Sequence, residues 1–534
     1  MLDQNAVWLA TDASQKRSYL LPQMSNRHGI VSGATGTGKT TTLKVMIEGF
    51  SEAGIPTFVA DVKGDLASLS LPGEHNENMQ SRFERFGITE WEYRDFPVQL
   101  WDIYEEYGMP VRATVSSMGP VMLSRLLGLS DAQEGVLNVV FHIADDRGLK
   151  LIDLKDLTST LQYVYDHRDE YRAEYGNVAS VSVSTIQRIL LQLRDQGGDA
   201  FFGEPELDIF DWIRTDENGR GIVNLLHSAS LIQKPRLYSM FLLWMLGELF
   251  NRLPEVGDTE KPKIVFFFDE AHLLFKNAPA ALVDKIEQVV KLIRSKGVGV
   301  FFCTQSPSDI PDSVLAQLSN RVQHALRAYT PNDRKTVKAA ADGFRQNPNL
   351  NLVEAITELK TGEAIVTFLQ EDGSPTMAER VFIMPPQSRF GTVTDEKRNE
   401  LIAQSDLRAK YAEAYDPISA YEILTGQATA EDAAKEEEIH AEETSAYEPG
   451  SMEYEMEQIK KRKAEMALEK ERLKLEQERT KLEQEKAKLA EQKKKSKKKK
   501  TTSTAKKVWN TALNTTTRNI TNRLIRGILG NLFK

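Results

Sequence analysis

At 534 residues the chain exceeds one ordinary domain, and 41% hydrophobic with 27% charged residues is a globular make-up that excludes a disordered or fibrous class. The net charge of −9 argues against a general nucleic-acid coat protein, whose surface would be basic. A single cysteine, Cys303, excludes an internal disulfide framework, and its place in the apolar run 298–303 reads as a buried strand thiol. The first thirteen residues lack a basic region followed by an apolar one, so no secretory signal is expected. The longest apolar run, near 241–250, is too short and interrupted to span a bilayer, and the expected location is the cytoplasm.

In chain order, the first strong signal is the strand-like run 28–32 leading into residues 33–40, Gly-Ala-Thr-Gly-Thr-Gly-Lys-Thr. This G-x-x-x-x-G-K-[ST] pattern is a phosphate-binding loop, in which backbone N–H groups converge on a β-phosphate at a helix N-terminus. Gly33, Gly36 and Gly38 permit the close approach, and Ala34, Thr35, Thr37 and Thr41 complete the cradle. Lys39 is placed to reach the β- and γ-phosphates, and the Thr40 hydroxyl to coordinate Mg²⁺. Residues 41–47 continue as a helix. A second strand, 55–60, follows, with 61–65 (Asp-Val-Lys-Gly-Asp) as its loop; Asp61 and Lys63 line the site in one reading and form a simple turn in another. Strand, loop, helix and strand make a βαβ unit.

From 109 to 261 most of the chain has helical periodicity, as in Met122, Leu123, Leu126 and Leu127 or Ile186, Ile189, Leu190 and Leu193, and reads as an inserted helical subdomain; 221–226 adds a candidate strand. The run 263–268 is continuously apolar, as in a parallel strand buried on both faces, and ends in Asp269 and Glu270. Asp269 is expected to hold Mg²⁺ through water and Glu270 to polarise the attacking water. Glutamate directly after the aspartate points to a hydrolytic ATPase, and no Asn-Lys-x-Asp motif marks the chain for guanine. Leu282, Ile286, Val289, Val290 and Ile293 form one face of a crossover helix into a strand at 298–303. That strand is expected beside the loop strand, which makes Gln305 a candidate contact to the γ-phosphate or the water. A hydrolysing site also needs positive charge against the transition state, commonly an arginine supplied in trans. Arg294 is the first candidate, although a cation at a helix C-terminus is favoured by the dipole alone. Arg321 and Arg327, flanking a strand expected at 322–327, come second; a further strand is expected at 363–369.

Beyond 398 the composition shifts to Ala, Glu, Gln and Lys. Leu468, Leu475, Leu482 and Leu489 recur every seven residues, but charged residues fill the partner positions, so the pattern supports an isolated charged helix or weak coiled coil. The expected division is a first part of the core at 1–108, the insertion at 109–261, the second part at 262–397 and an acidic linker at 398–450. A charged helix at 451–492, a lysine-rich segment at 493–507 and a basic amphipathic helix at 508–534 complete it. This last helix suits a protein groove, an anionic membrane surface or nucleic-acid phosphates.

With these residues in place the chain resembles HerA-like P-loop ATPases of the HerA and FtsK superfamily, and within it the YjgR branch. The resemblance covers about 8–395 and rests on the loop with its preceding strand (27–40), 61–65, 265–274, 293–300 and 320–327. It implies an α/β fold: a RecA-like core, a mostly parallel sheet with helices on both faces, here with a helical insertion and a charged C-terminal extension. It also implies ATP and Mg²⁺ at the interfaces of a homohexameric ring, Arg294 at the position of the neighbour's finger, and translocation on double-stranded DNA. The family's N-terminal β-barrel, the docking platform for a nuclease, has no counterpart in the fewer than thirty residues before the loop strand, so no nuclease partner is expected. The rival expectation is a regulatory or scaffolding ATPase whose nucleotide state controls assembly with a protein or membrane partner.

Overall fold

Four apolar runs, Gly29–Ser32, Thr57–Asp61, Ile264–Phe268 and Val298–Thr304, are buried at every residue, as strands covered on both faces must be. The computed structural model in which they lie describes residues 1–436 except 4, 258, 277 and 279. Among the described residues the strands in chain order are β1 (Leu2–Asp3), β2 (Ala6–Thr11), β3 (Arg17–Leu20), β4 (Gly29–Ser32), β5 (Thr57–Asp61), β6 (Val98–Asp102) and β7 (Met109–Pro110). They continue with β8 (Val223–His227), β9 (Ile264–Phe268), β10 (Val298–Thr304), β11 (Asn320–Gln323), β12 (Glu363–Thr367) and β13 (Glu379–Ile383). All join one sheet. Its parallel part runs β11-β4-β10-β9-β5-β8-β6-β7, and on the β11 side it continues antiparallel through β12, β13 and β2, which also pairs β1 and β3.

Strands β4 and β5 are consecutive in sequence yet separated in the sheet by β10 and β9, so the first βαβ unit is filled in by strands made more than 200 residues later. The run expected as a strand at 322–327 pairs only through Gln323, because His324 and Ala325 turn toward the phosphate loop. The residues before β4 build the antiparallel edge. Helices cover both faces. The helix Lys39–Glu52 packs on one, with Phe50 against the rings of Phe267 and Phe301, each 6.1 Å away. Gly49 lets it approach β2, since a Cβ there would lie 2.3 Å from a Val7 methyl. On the other face Phe58 and Phe266 meet Phe241 and Trp212, and the helix Ala280–Leu292 buries Ile286, Val289 and Val290. Successive side chains of a strand thus serve opposite layers.

The stretch 109–261 is mainly helical, while its strand β8 belongs to the central sheet beside β5. Residues 398–436, expected to begin a linker, lie folded on the rest. Tyr411 is fully buried: its ring packs against Trp101, its hydroxyl bonds the Asp211 carboxylate and accepts from the Asp208 N–H at 3.0 Å. Lys155 pairs with Asp416 and Glu422, and the Ser419 hydroxyl donates to Asp156 at 2.6 Å. These partners are distant in sequence, which composition cannot register. The charged helix, the lysine-rich segment and the basic amphipathic helix lie outside the described residues.

If this strap is part of the fold, Tyr411→Ala should cost about 3–5 kcal/mol, as for other buried aromatic truncations, and lower the urea midpoint of unfolding. An unchanged midpoint would mean that 398–436 adds nothing to stability.

Candidate active site

The phosphate loop leaves β4 at Ser32 and is tied down on both sides. Gly33 N donates to Thr304 O at 3.3 Å and Ala34 N to Ala325 O at 2.9 Å. Gly33, Gly36 and Gly38 have φ of 151°, 76° and 115°, which L side chains rarely adopt. A Cβ on Gly33 would also lie 2.5 Å from that of His324. Thr35 and Gly36 are exposed at the tip, and Thr37 bonds back to Ala34 O at 2.7 Å. The helix Lys39–Glu52 starts directly after Gly38, with Thr40 and Thr41 half-buried in its first turn. Its terminal N–H groups and dipole make an anion site. The Lys39 ammonium lies within the loop, donating to Gly33 O at 2.7 Å and Ala34 O at 3.1 Å.

Behind the loop stands His324, wholly buried. Its Nδ1 faces Glu363 O at 2.9 Å and its Nε2 faces the Thr42 hydroxyl at 2.8 Å. A carbonyl can only accept, so Nδ1 carries the proton and Nε2 accepts from Thr42. Burial holds the ring neutral, its pKa pushed down to about 4 against the partial opposition of the Glu363 carbonyl. The turn at Gly362 completes the support, its N–H donating to Thr37 O at 3.0 Å.

Strands β9 and β10 end level with β4: Phe302 is opposite both Phe268 and Ile30, and Thr304 is opposite Ser32. Asp269 and Glu270 therefore emerge at the same edge as the loop, two strands away. Asp269 is nearly buried, and burial raises its carboxyl above the ordinary range despite the opposing Lys63 charge. Glu270 is shifted the other way: burial is outweighed by the hydrogen bond and charge of Lys63, with Gln305 and Lys39 adding to the effect. The Lys63 ammonium is 2.9 Å from Glu270 Oε1 and 3.7 Å from Asp269 Oδ2. Gln305 Nε2 lies 3.4 Å from Glu270 Oε2. Cys303 is buried beside Asp269, and burial first, then that carboxylate, pushes its thiol well above the ordinary value, which leaves it inert as a nucleophile.

The loop, Asp269, Glu270 and Gln305 are thus gathered at one edge. Arg294 is not with them. It lies in the short turn Ile293–Lys296 that enters β10 from its opposite end, and the strand between spans roughly 20 Å. Arg321 also starts from that opposite end and is bonded to Leu315 O and Leu318 O. Arg327 follows β11 at the loop edge and donates to Thr357 O at 2.7 Å. Lys63 is the member that spacing left undecided, and His324 was not foreseen. A histidine just past a strand carries no signal of its own until the loop is seen against it.

Residues 7–460 match the family model described as helicase HerA-like C-terminal. The chain belongs to this HerA-like family. The family and the sheet together make it a P-loop ATPase with a RecA-like core. Among its relatives, the DNA double-strand break repair helicase HerA of Sulfolobus acidocaldarius is 28% identical over 349 residues, 64% of this chain and 62% of that protein. A probable helicase of Methanocaldococcus jannaschii is 23% identical over 383 residues, 67% of each chain. The HerA-like chain therefore spans 62% to 67% of the length of these two relatives. Among solved structures, the plasmid coupling protein TrwB with a non-hydrolysable ATP analogue is 15% identical at a TM-score of 0.45, covering 70% of this chain and 89% of that one. VirB4 of Thermoanaerobacter pseudethanolicus is 13% identical at 0.44, covering 72% and 97%.

The histidine brace has a pH signature. A group whose pKa falls on folding, here from 6.5 to about 4, supports the fold fully above 6.5 and loses that support as pH drops toward 4. His324→Gln should be less stable than the parent at pH 7.5, and the deficit should narrow by on the order of 3 kcal/mol by pH 4 in denaturant titrations. A deficit constant across that range would contradict a neutral brace.

Proposed function

We propose that the chain hydrolyses ATP with Mg²⁺ as part of a homo-oligomeric ring that translocates on double-stranded DNA. The observation that carries the hydrolytic reading is Glu270, a carboxylate held at the loop edge of the sheet by Lys63 and Gln305, where a triphosphate on Lys39 would present its γ-phosphate. Glu270 takes the proton from the attacking water, Gln305 orients the carboxylate or the water, and Lys39 balances charge on the β- and γ-phosphates. The loop N–H groups of residues 33–41 hold the phosphates in line.

The donor set suits Mg²⁺. Among the described residues no cluster of three His, Cys, Asp or Glu side chains could hold a metal, and Mg²⁺ needs none, being bound through one or two protein oxygens together with phosphates and waters. Thr40 and Asp269 are the oxygens in question. When bound, the ion neutralises charge developing on the phosphates.

Arg294 on the far side of the sheet favours a ring, since from there it serves a neighbour's site rather than its own. DNA as the substrate is supported by the HerA helicase relatives. Among the described residues no helix is long and apolar enough to cross a membrane. Residues 493–534 are proposed to bind a protein, an anionic membrane surface or nucleic acid.

Two experiments test the proposal. Duplex DNA should raise steady-state ATP turnover at low salt; if DNA neither binds nor stimulates at any salt concentration, the motor reading fails and a scaffolding ATPase replaces it. Mixing Arg294→Ala with Lys39→Ala chains should restore part of the activity that each lacks alone, because one intact interface forms in mixed rings. No recovery would remove Arg294 from the trans role.

A further inference from the structure

We infer that Lys63 is a positioning residue for Glu270, anchoring one carboxylate oxygen so that the other is presented to the attacking water. The inference rests on the proposed role of Glu270 as the base. Lys63 itself starts from a fixed root. In the loop after β5, Asp61 Oδ1 accepts from Lys63 N at 3.2 Å and Gly64 N at 2.8 Å, and Asp61 Oδ2 accepts from Leu66 N at 3.1 Å. Gly64 takes the left-handed turn at φ 71°. Because β5 pairs with β9 in parallel, Ala60 opposite Phe268, this loop emerges directly beside Asp269 and Glu270.

The division of the Glu270 oxygens is what gives Lys63 its role. Oε1 is 2.9 Å from the Lys63 ammonium, while Oε2 is 3.4 Å from Gln305 Nε2 and 3.5 Å from His272 Nδ1. One oxygen is thus committed to a strong charge-assisted contact, and the other has only long ones. Glu270 also sits at φ 48°, a conformation a glutamate holds only where its surroundings fix it. The next residue is pinned by Ala271 N donating to Cys303 O at 2.8 Å. Backbone and side chain are therefore aimed together, and Lys63 supplies the side-chain half. In hydrolysis Oε2 receives the water proton as the water oxygen bonds to the γ-phosphorus and the bond to the ADP oxygen breaks.

Misaiming a catalytic group by about 1 Å costs on the order of 100-fold in rate. Lys63→Met, which keeps length and loses charge, and Lys63→Ala should therefore reduce kcat about 10- to 100-fold. KM for ATP should stay within about twofold, the split expected when only the transition state is affected. Lys63→Arg should recover most of kcat. Unchanged kcat in Lys63→Met, or a raised KM with normal kcat, would overturn the inference, as would failure of Lys63→Arg to exceed Lys63→Met. Glu270→Gln, assayed alongside, separates the two claims: if it hydrolyses normally the base assignment fails, whereas if it is inactive and Lys63→Met is fully active only the positioning role falls.

Discussion

The hydrogen-bonded register of β4, β10 and β9 is the constraint on which the rest depends. With Thr304 level with Ser32 and Phe302 level with Phe268, the phosphate loop, Gln305 and the Asp269-Glu270 pair leave the sheet at one edge and at one height. A slip of one residue would exchange the two faces of a strand. Aromatic packing forbids that slip: Phe267 and Phe301 belong under Phe50 on one side, while Phe266, Phe268 and Phe302 fill the other. The geometry of the chemical edge is thus enforced from inside the core.

The helix that begins at the loop is held as firmly along its length. Glu48, wholly buried, accepts from Gln387 N at 2.7 Å, Ser388 N at 3.1 Å and the Ser388 hydroxyl at 2.5 Å. Burial pushes its pKa up to about 7 although these donors pull the other way. One turn earlier, buried Lys44 bonds Ser68 and the Arg389 carbonyl, and burial lowers its pKa to about 8. The loop helix is therefore coupled to segments more than 300 residues away, and with His324 on the other side the loop cannot shift alone.

Much of this was legible where the chain carries local signals. The loop strand, the apolar strands before Asp269 and Cys303, and the helix with Leu282, Ile286, Val289 and Val290 are continuous or periodic apolar patterns, and all are buried as their patterns require. The N-terminal hairpin carries a weaker local signal, an apolar run at Ala6–Thr11 and an Asp12 whose side chain caps the turn through Ser14 N and Lys16 N. Residues 398–436 were not, because Tyr411, Asp416 and Ser419 find their partners at Asp211, Lys155 and Asp156, about 200 or more residues away. The same holds for Lys63. Its spacing from Asp61 fits a turn as well as a place in the site, and the choice depends on β5 lying next to β9, a neighbour relation set by topology rather than by sequence order.

Glu270 and Arg294 stand at opposite ends of the strands, so the phosphate loop and a carboxylate share one edge and Arg294 lies at the other. The most direct measurement is ATP binding and single-turnover hydrolysis by the parent chain, Lys39→Ala and Glu270→Gln under one set of conditions. Lys39→Ala should lose nucleotide affinity, while Glu270→Gln should bind ATP as the parent does and hydrolyse it at least about 100-fold more slowly. Hydrolysis by Glu270→Gln at the parent rate would contradict the account.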